Sequence, residues 1–170
     1  LLNRGGSAEN YPPVVGLSDL ERITWFQREF QITRSLNPAA SPEQALEGVA
    51  AAYSLERVQD QWVMVLEDFG GDSLAYLRST GRLTSVSAAD SGFSLADFLT
   101  LAGKLADIVG QIHRRGVIHQ NVNPTNIVLN PTTGQVKLID FDASTVLSRE
   151  SSTIHNLNLL KDMLAYISPE

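Results

Sequence analysis

Cysteine is absent from all 170 residues, which excludes disulfides, thiolate metal sites and a cysteine nucleophile and fits a reducing compartment. Long apolar runs are missing too. The longest strongly apolar stretches, such as Trp62 to Leu66, fall far short of the ~18 residues of a membrane span, and the N-terminus carries no signal-peptide core. Positive charge is scarce. Thirteen Lys and Arg stand against 19 Asp and Glu, a net charge of −6, which argues against a nucleic-acid groove or an anionic membrane surface as partner. Gly and Pro, 12 and 7, are too few for a fibrous repeat, and 43% hydrophobic with 19% charged residues is too apolar for disorder. The expectation is a soluble, cytoplasmic protein of one domain or part of one, with no direct membrane insertion. The chain opens on Leu1 rather than Met and stops at Glu170 directly after Ser168-Pro169, so a fragment of something longer is expected.

Residues 1 to 17 hold Gly5-Gly6, Pro12-Pro13 and Gly16 without a sustained period and read as loop. Ser18 and Glu21 have capping-box spacing and Asn37-Pro38 ends the pattern, which predicts a helix over 19–36. Steps of three and four put Glu29 on one face with Trp25, Ile32 and Leu36, a carboxylate in an apolar stripe. Val49 to Arg57 and Gln61 to Glu67 predict two strands of a hairpin turning at Gln59-Asp60. Gly70-Gly71 breaks the second strand, Ser73 to Ser79 predicts a short helix, and Gly81 to Gly92 a loop. The clearest helix follows. Ser94 with Asp97 caps it, Leu95, Phe98, Ala102, Leu105, Val109 and Ile112 form its apolar face, and Arg114-Arg115-Gly116 ends it. It is expected to be largely buried. Val117 to Ile118, Ile127 to Leu129 and Val136 to Ile139 predict short strands, the last two joined through Asn130 to Gly134. The tract from Asp142 to Asn158 is polar and serine-rich, and no internal repeat is present.

Chemistry concentrates in Val117-Ile-His-Gln-Asn-Val-Asn-Pro-Thr-Asn-Ile-Val-Leu129 and Val136-Lys-Leu-Ile-Asp-Phe-Asp142. A polar loop ends in Asn126, and 14 residues later Asp140 closes another strand. Hairpin return brings the two together as hard oxygen ligands suited to Mg2+ held by substrate phosphates. Taken singly, either residue is better explained as a strand-end side chain bonding turn amides.

Order and flanks add to this. The segment resembles the catalytic loop and metal-binding motif of eukaryotic-type Ser/Thr protein kinases, His-Arg-Asp, Lys, Pro, Asn and then Asp-Phe-Gly. The resemblance covers nearly the whole chain. It implies an α+β, two-lobed kinase-like fold, incomplete here, with a partial small lobe and hinge over 1–69 and a partial large lobe over 70–170. Helix 19–36 resembles the regulatory helix of the small lobe, with Glu29 as the partner of the phosphate-anchoring Lys. Leu66-Glu67-Asp68-Phe69 resembles gatekeeper and hinge, and Ser168-Pro169-Glu170 the end of an activation segment, 30 residues after Asp140. The wording Asn-Pro-Thr-Asn-Ile-Val-Leu-Asn-Pro-Thr-Thr-Gly-Gln-Val-Lys is similar to the N-terminal kinase domains of bacterial hybrid sensor proteins, which implies neighbouring sensor and histidine-kinase domains as partners. By resemblance the cofactors are ATP and Mg2+: Asp140 and Asn126 for the metal, the hinge backbone at Glu67 to Phe69 for adenine, Val128 for the pocket floor.

The departures carry the mechanism. Asn121 stands where the family has its catalytic Asp, and an amide neither accepts the substrate hydroxyl proton nor supplies charge. Losing a positioned base costs ~10² to 10⁴ in rate, so impaired phosphotransfer and a regulatory role are expected. Asn123 stands at the usual Lys, Met163 at the usual activation-segment Thr, and Asp142 at the Gly of Asp-Phe-Gly, where it is either a ligand, a repulsive charge or a solvated loop residue. No Gly-x-Gly-x-x-Gly occurs and the first lysine is Lys104, so the phosphate-anchoring loop and Lys are not in these residues. Without that Lys, Glu29 either turns to water or, if buried, has a raised pKa. His119 reads as a structural residue under the metal motif. Ser148, Ser151, Ser152 and Thr153 form a hydroxyl cluster that phosphate would order against Arg114 or Arg149, or else a plain solvated loop. Two other function classes stay open. One is a small-molecule phosphotransferase of the aminoglycoside or choline kinase type, whose later motif resembles Ile139 to Asp142. The other is a pseudokinase interaction module that binds no nucleotide.

Overall fold

The computed structural model describes residues 19–38, 41–59, 61–83 and 93–147. Helix α1 (Asp19–Leu36) lies against a two-stranded antiparallel sheet, β1 (Ala52–Val58) and β2 (Gln61–Leu66). After the 67–71 segment come the short strand β3 (Asp72–Ser73), α2 (Leu74–Ser79), α3 (Leu95–Arg114), β4 (Val117–Ile118), β5 (Ile127–Leu129), β6 (Val136–Leu138) and β7 (Thr145–Val146). The class is α+β. Strands β3, β5 and β6 form one antiparallel sheet in that order, and β4 pairs antiparallel with β7.

The predicted helices and the hairpin are present, with small shifts at their edges. The first strand begins at Ala52 rather than Val49, because Val49 makes a parallel bridge to Leu138 and the Ala50 amide donates to the Leu138 carbonyl. That approach is close: a Cβ on Gly48 would stand 2.3 Å from Ile108 Cγ1. Helix α3 has its expected capping box, Ser94 with Asp97. Its burial differs from expectation, since Leu95 and Phe98 are 73% and 54% exposed while Ile108 and Ile112 are buried. Among the described residues, β4 and β6 are the strands that lie against α3, and they reach its C-terminal half. The capping position Ser18, the serine-rich loop 84–92, Met163, the hydroxyl cluster from Ser148 and the Ser168-Pro169-Glu170 motif lie outside the described residues.

The main core runs through both parts of the molecule. Ile32 and Leu36 of α1 pack in one cluster with Val49, Leu77, Ile112, Leu138 and Phe141. In the β5–β6 hairpin, Ile127 faces Leu138 and Leu129 faces Val136 toward that core, while Val128 and Lys137 pair on the opposite face, as the two-residue period of a strand requires. Val128 forms a second small cluster with Ala50 and Ile139, against which Phe69 packs.

Candidate active site

Three stretches meet at the end of the β5–β6 hairpin: the loop entering β5, the turn leaving β6, and the middle of α1. The Ile127–Leu138 pairing and the bond from the Ile139 amide to the Asn126 carbonyl (3.0 Å) put Asn126 and Asp140 at the same end of the hairpin. Gln120 and Asp140 adopt φ of 62° and 67°. Non-glycine residues seldom occupy this region, and strained backbone of this kind gathers at functional sites.

The loop before β5 is fixed by its own polar groups. His119 is 1% exposed and its ring centroid lies 4.5 Å from that of Phe141. Its Nδ1 accepts from the Asn121 amide at 3.3 Å, which assigns the ring proton to Nε2, donating to the Ile139 carbonyl at 3.2 Å. Burial holds its pKa below the usual value, so the neutral ring pins the loop to the 139–141 turn, the structural role expected for it. Asn121 is buried, and its Oδ1 accepts from Asn123 Nδ2 at 2.7 Å. The Asn121 backbone carbonyl accepts from Asn126 Nδ2 at 3.1 Å. Asn123 Oδ1 accepts from both the amide and the hydroxyl of Thr125. With its Nδ2 so used, the Asn126 side chain keeps Oδ1 as a donor of lone pairs, met by the Thr125 hydroxyl at a long 3.4 Å.

Glu29 turns inward rather than to water. Its pKa is raised from 4.5 to about 8, first by burial and then by the negative charges of Asp140 and Asp142, against a lowering contribution from the Phe141 amide hydrogen bond. At neutral pH the carboxyl is therefore mostly protonated. Asp142 acts on Glu29 as a repulsive charge, and its own Oδ1 is buried without a hydrogen-bond partner. The neighbouring Arg28 donates to the Ser144 carbonyl at 3.1 Å, so two successive residues of α1 hold the 141–144 turn.

The 67–69 segment crosses the opposite face of the hairpin. The Glu67 amide donates to the Ala51 carbonyl at 2.8 Å, and its carboxylate accepts from the Ala51 amide at 3.1 Å and from Lys137 Nζ at 2.7 Å. The Phe69 carbonyl accepts from Asn130 Nδ2 at 2.7 Å. Leu66 closes β2, half-buried. Val128 is 2% exposed beneath Phe69, and a Cβ on Gly71 would lie 2.8 Å from both the Phe69 ring and Val128. Only glycine fits there without displacement.

The site residues expected from sequence thus fall in two groups joined by one hairpin: Asn121, Asn123, Asn126, Asp140 and Glu29 at its end, and Leu66, Glu67, Phe69 and Val128 across its face. Sequence reasoning did not single out Lys137 or Asn130. Lys137 alternates with core residues in a short strand, a pattern that ordinarily signals a solvent face. Here both faces are covered, and that face carries Val128 and Ile139 as well. Two surface clefts of about 640 and 230 Å³, lined by residues such as Phe30, Arg34 and Leu55 or Glu47, Lys104 and Asp107, take in none of these groups. Among the described residues no group of three or more His, Asp or Glu is disposed to hold a metal by itself, and no helix is long and apolar enough to cross a membrane.

Comparison with known proteins agrees with this geometry. Residues 18–170 match the protein kinase domain model. The chain is similar to the serine/threonine-protein kinase PknA of Mycobacterium tuberculosis, 28% identical over 159 residues, which are 90% of this chain and 32% of that protein. It is also similar to the serine/threonine-protein kinase PkaA of Streptomyces coelicolor, 31% identical over 108 residues, 64% of this chain and 18% of that protein. A probable serine/threonine-protein kinase, pknA2 of Bifidobacterium longum, is 30% identical over 82 residues, 48% of this chain and 10% of that protein. The chain spans about a third or less of the length of these relatives. With all but the first 17 residues matched by the family, and with the loop, turn and helix of its motifs converging on one hairpin end, the chain belongs to the protein kinase domain family.

Proposed function

We propose that the chain is part of an ATP- and Mg2+-using Ser/Thr protein kinase domain whose phosphotransfer is impaired and which regulates neighbouring domains of a cytoplasmic signal-transduction protein. In this reading residues 1–69 belong to a small lobe with its hinge and residues 70–170 to a large lobe. The observation that carries it is the state of Asn121. This buried amide stands at the position of the family's catalytic base and is committed to Asn123. An amide oxygen already accepting a hydrogen bond has no basicity to offer an incoming hydroxyl.

The residues present fit a divalent cation with nucleotide phosphates. Asn126 Oδ1 is kept for a donor role by the bond its Nδ2 makes, and the buried, unpartnered Asp142 Oδ1 next to the Asp140 motif supplies negative charge in need of a counter-ion. Asp140 and Asn126 would hold Mg2+, which when bound neutralises phosphate charge. At the hinge, a carbonyl from Glu67 and an amide from Phe69 suit the donor and acceptor on the edge of adenine, with Val128 below the base. Asn123 orders the loop around Asn121. Glu29, mostly protonated here, awaits the cation that its family position pairs with.

A second reading, an interaction module that binds no nucleotide, is favoured by the burial of Val128 beneath Phe69, which covers the pocket floor. Titration of the full-length protein with ATP, with and without Mg2+, separates the two. Saturable, Mg2+-dependent binding lost in Asp140→Ala supports the nucleotide site. Absence of binding supports the module.

A further inference from the structure

We infer that Lys137 is a positioning residue of the nucleotide site, acting through Glu67 to fix the hinge peptide against the β5–β6 hairpin. The inference rests on the nucleotide reading above and says which groups set the geometry of that site.

A lysine whose side chain is 5% exposed has lost its water, and such a charge is retained only with close compensation. Lys137 finds it in Glu67 Oε2 at 2.7 Å, with the Phe69 ring 5.3 Å away as a further contact. Glu67 is thereby held three ways, by its own amide to Ala51, by its carboxylate to the Ala51 amide, and by Lys137. Two residues on, the Phe69 carbonyl is held by Asn130, whose Oδ1 is itself fixed by the amides of Thr132 and Thr133. Both anchors come from the same hairpin. That hairpin also carries Val128, the cross-strand partner of Lys137, and leads three residues further to Asp140. Base edge, pocket floor and metal-type carboxylate are therefore referenced to one rigid element, and Lys137 is the link at the base end. A 1 Å drift of the hinge would misalign the adenine contacts while leaving the phosphate end in place, because Asn126 and Ile139, the residue before Asp140, bond within the 119–126 loop and not to Lys137.

The test measures binding of MgATP, adenosine and magnesium tripolyphosphate to the full-length protein and to Lys137→Met, Lys137→Arg, Glu67→Gln and the Lys137→Met/Glu67→Gln double variant. Lys137→Met and Glu67→Gln are each expected to weaken ATP and adenosine about tenfold, near the worth of one charge-assisted hydrogen bond. The double variant is expected to lose no more than either single one, since both break one link. Lys137→Arg is expected to recover most of the affinity, and tripolyphosphate binding to stay within twofold throughout. Unchanged adenosine affinity, additive losses, or an equal loss for tripolyphosphate overturns the inference and marks a general packing role. If Lys137→Met does not fold, Glu67→Gln and Lys137→Arg decide by the same adenosine-to-tripolyphosphate comparison. Failure of the unsubstituted protein to bind both ATP and adenosine overturns the nucleotide reading itself, a result seen before any variant is made.

Discussion

Replacing Glu29 by Gln keeps the shape of the side chain and removes its titration. In the folded chain the carboxyl has a pKa of about 8 against 4.5 for an ordinary glutamate. Below pH 4.5 both folded and unfolded states hold the proton and the carboxyl carries no penalty. Between 4.5 and 8 the unfolded chain releases its proton while the folded one keeps it, so stability falls as pH rises, and the loss is complete above 8. At ~1.4 kcal/mol per pH unit the ceiling is roughly 4–5 kcal/mol. A realised loss of about 2–3 kcal/mol is expected, because protein relaxation screens buried charge. The Gln variant has no such loss. Urea unfolding of the 170-residue chain and of Glu29→Gln at pH 5, 7 and 9 isolates this group, since titrations not coupled to it cancel in the difference. The stability of the wild type relative to the variant should fall by about 2–3 kcal/mol from pH 5 to 9. A difference independent of pH would refute the placement of Glu29 among Asp140, Asp142 and the Phe141 amide.

Three further outcomes follow from single contacts. Asp142→Asn should lower the pKa of Glu29 by removing one of its two negative neighbours, seen as a downward shift of the carboxyl carbon titration in NMR; an unmoved midpoint would separate the two residues. Lys137→Met should destabilise the chain by about 1–3 kcal/mol in urea unfolding, because the partly buried Glu67 keeps the Ala51 amide but loses the cation, and adding Glu67→Gln should restore part of that. Gly48→Ala should cost about 1–3 kcal/mol, since its Cβ would meet Ile108 at 2.3 Å; a neutral result would mean that α3 and the 46–50 segment are less closely packed than described.

Much of this architecture was legible in local signals. The stop at Asn37-Pro38, the Ser94–Asp97 box and the hairpin around Gln59 each mark an element with nearby residues, and α1, α3 and the β1–β2 pair follow them. The spacing of Asn126 and Asp140 was readable too, because a hairpin return depends on a short turn. Strands β3 and β7 were not. Two residues long, they exist through partners far along the chain, Asp72 with Leu129 and Thr145 with Ile118, and no local period records that. Periodicity also names the apolar side of α3 but not what covers it, so the exposure of Leu95 and Phe98 was unreadable. At the candidate site, chemistry-bearing residue types stood out, while Lys137 and Asn130 did not, since their partners Glu67 and Phe69 lie 70 and 61 residues away.

The central claim is that Asn121 leaves a kinase fold without its base. Radiolabelled γ-phosphate transfer to a generic protein substrate, compared among the full-length protein, Asn121→Asp and the triple variant Asn121→Asp, Asp142→Gly, Met163→Thr, tests it most directly. The account predicts very slow transfer by the unsubstituted protein and a gain of up to ~10² to 10⁴ on restoring the carboxylate, with the triple variant at least as fast as the single one. Transfer by the unsubstituted protein at the ~1–100 s⁻¹ of ordinary kinases would contradict it and point to another carboxylate, Asp142 first, as the base.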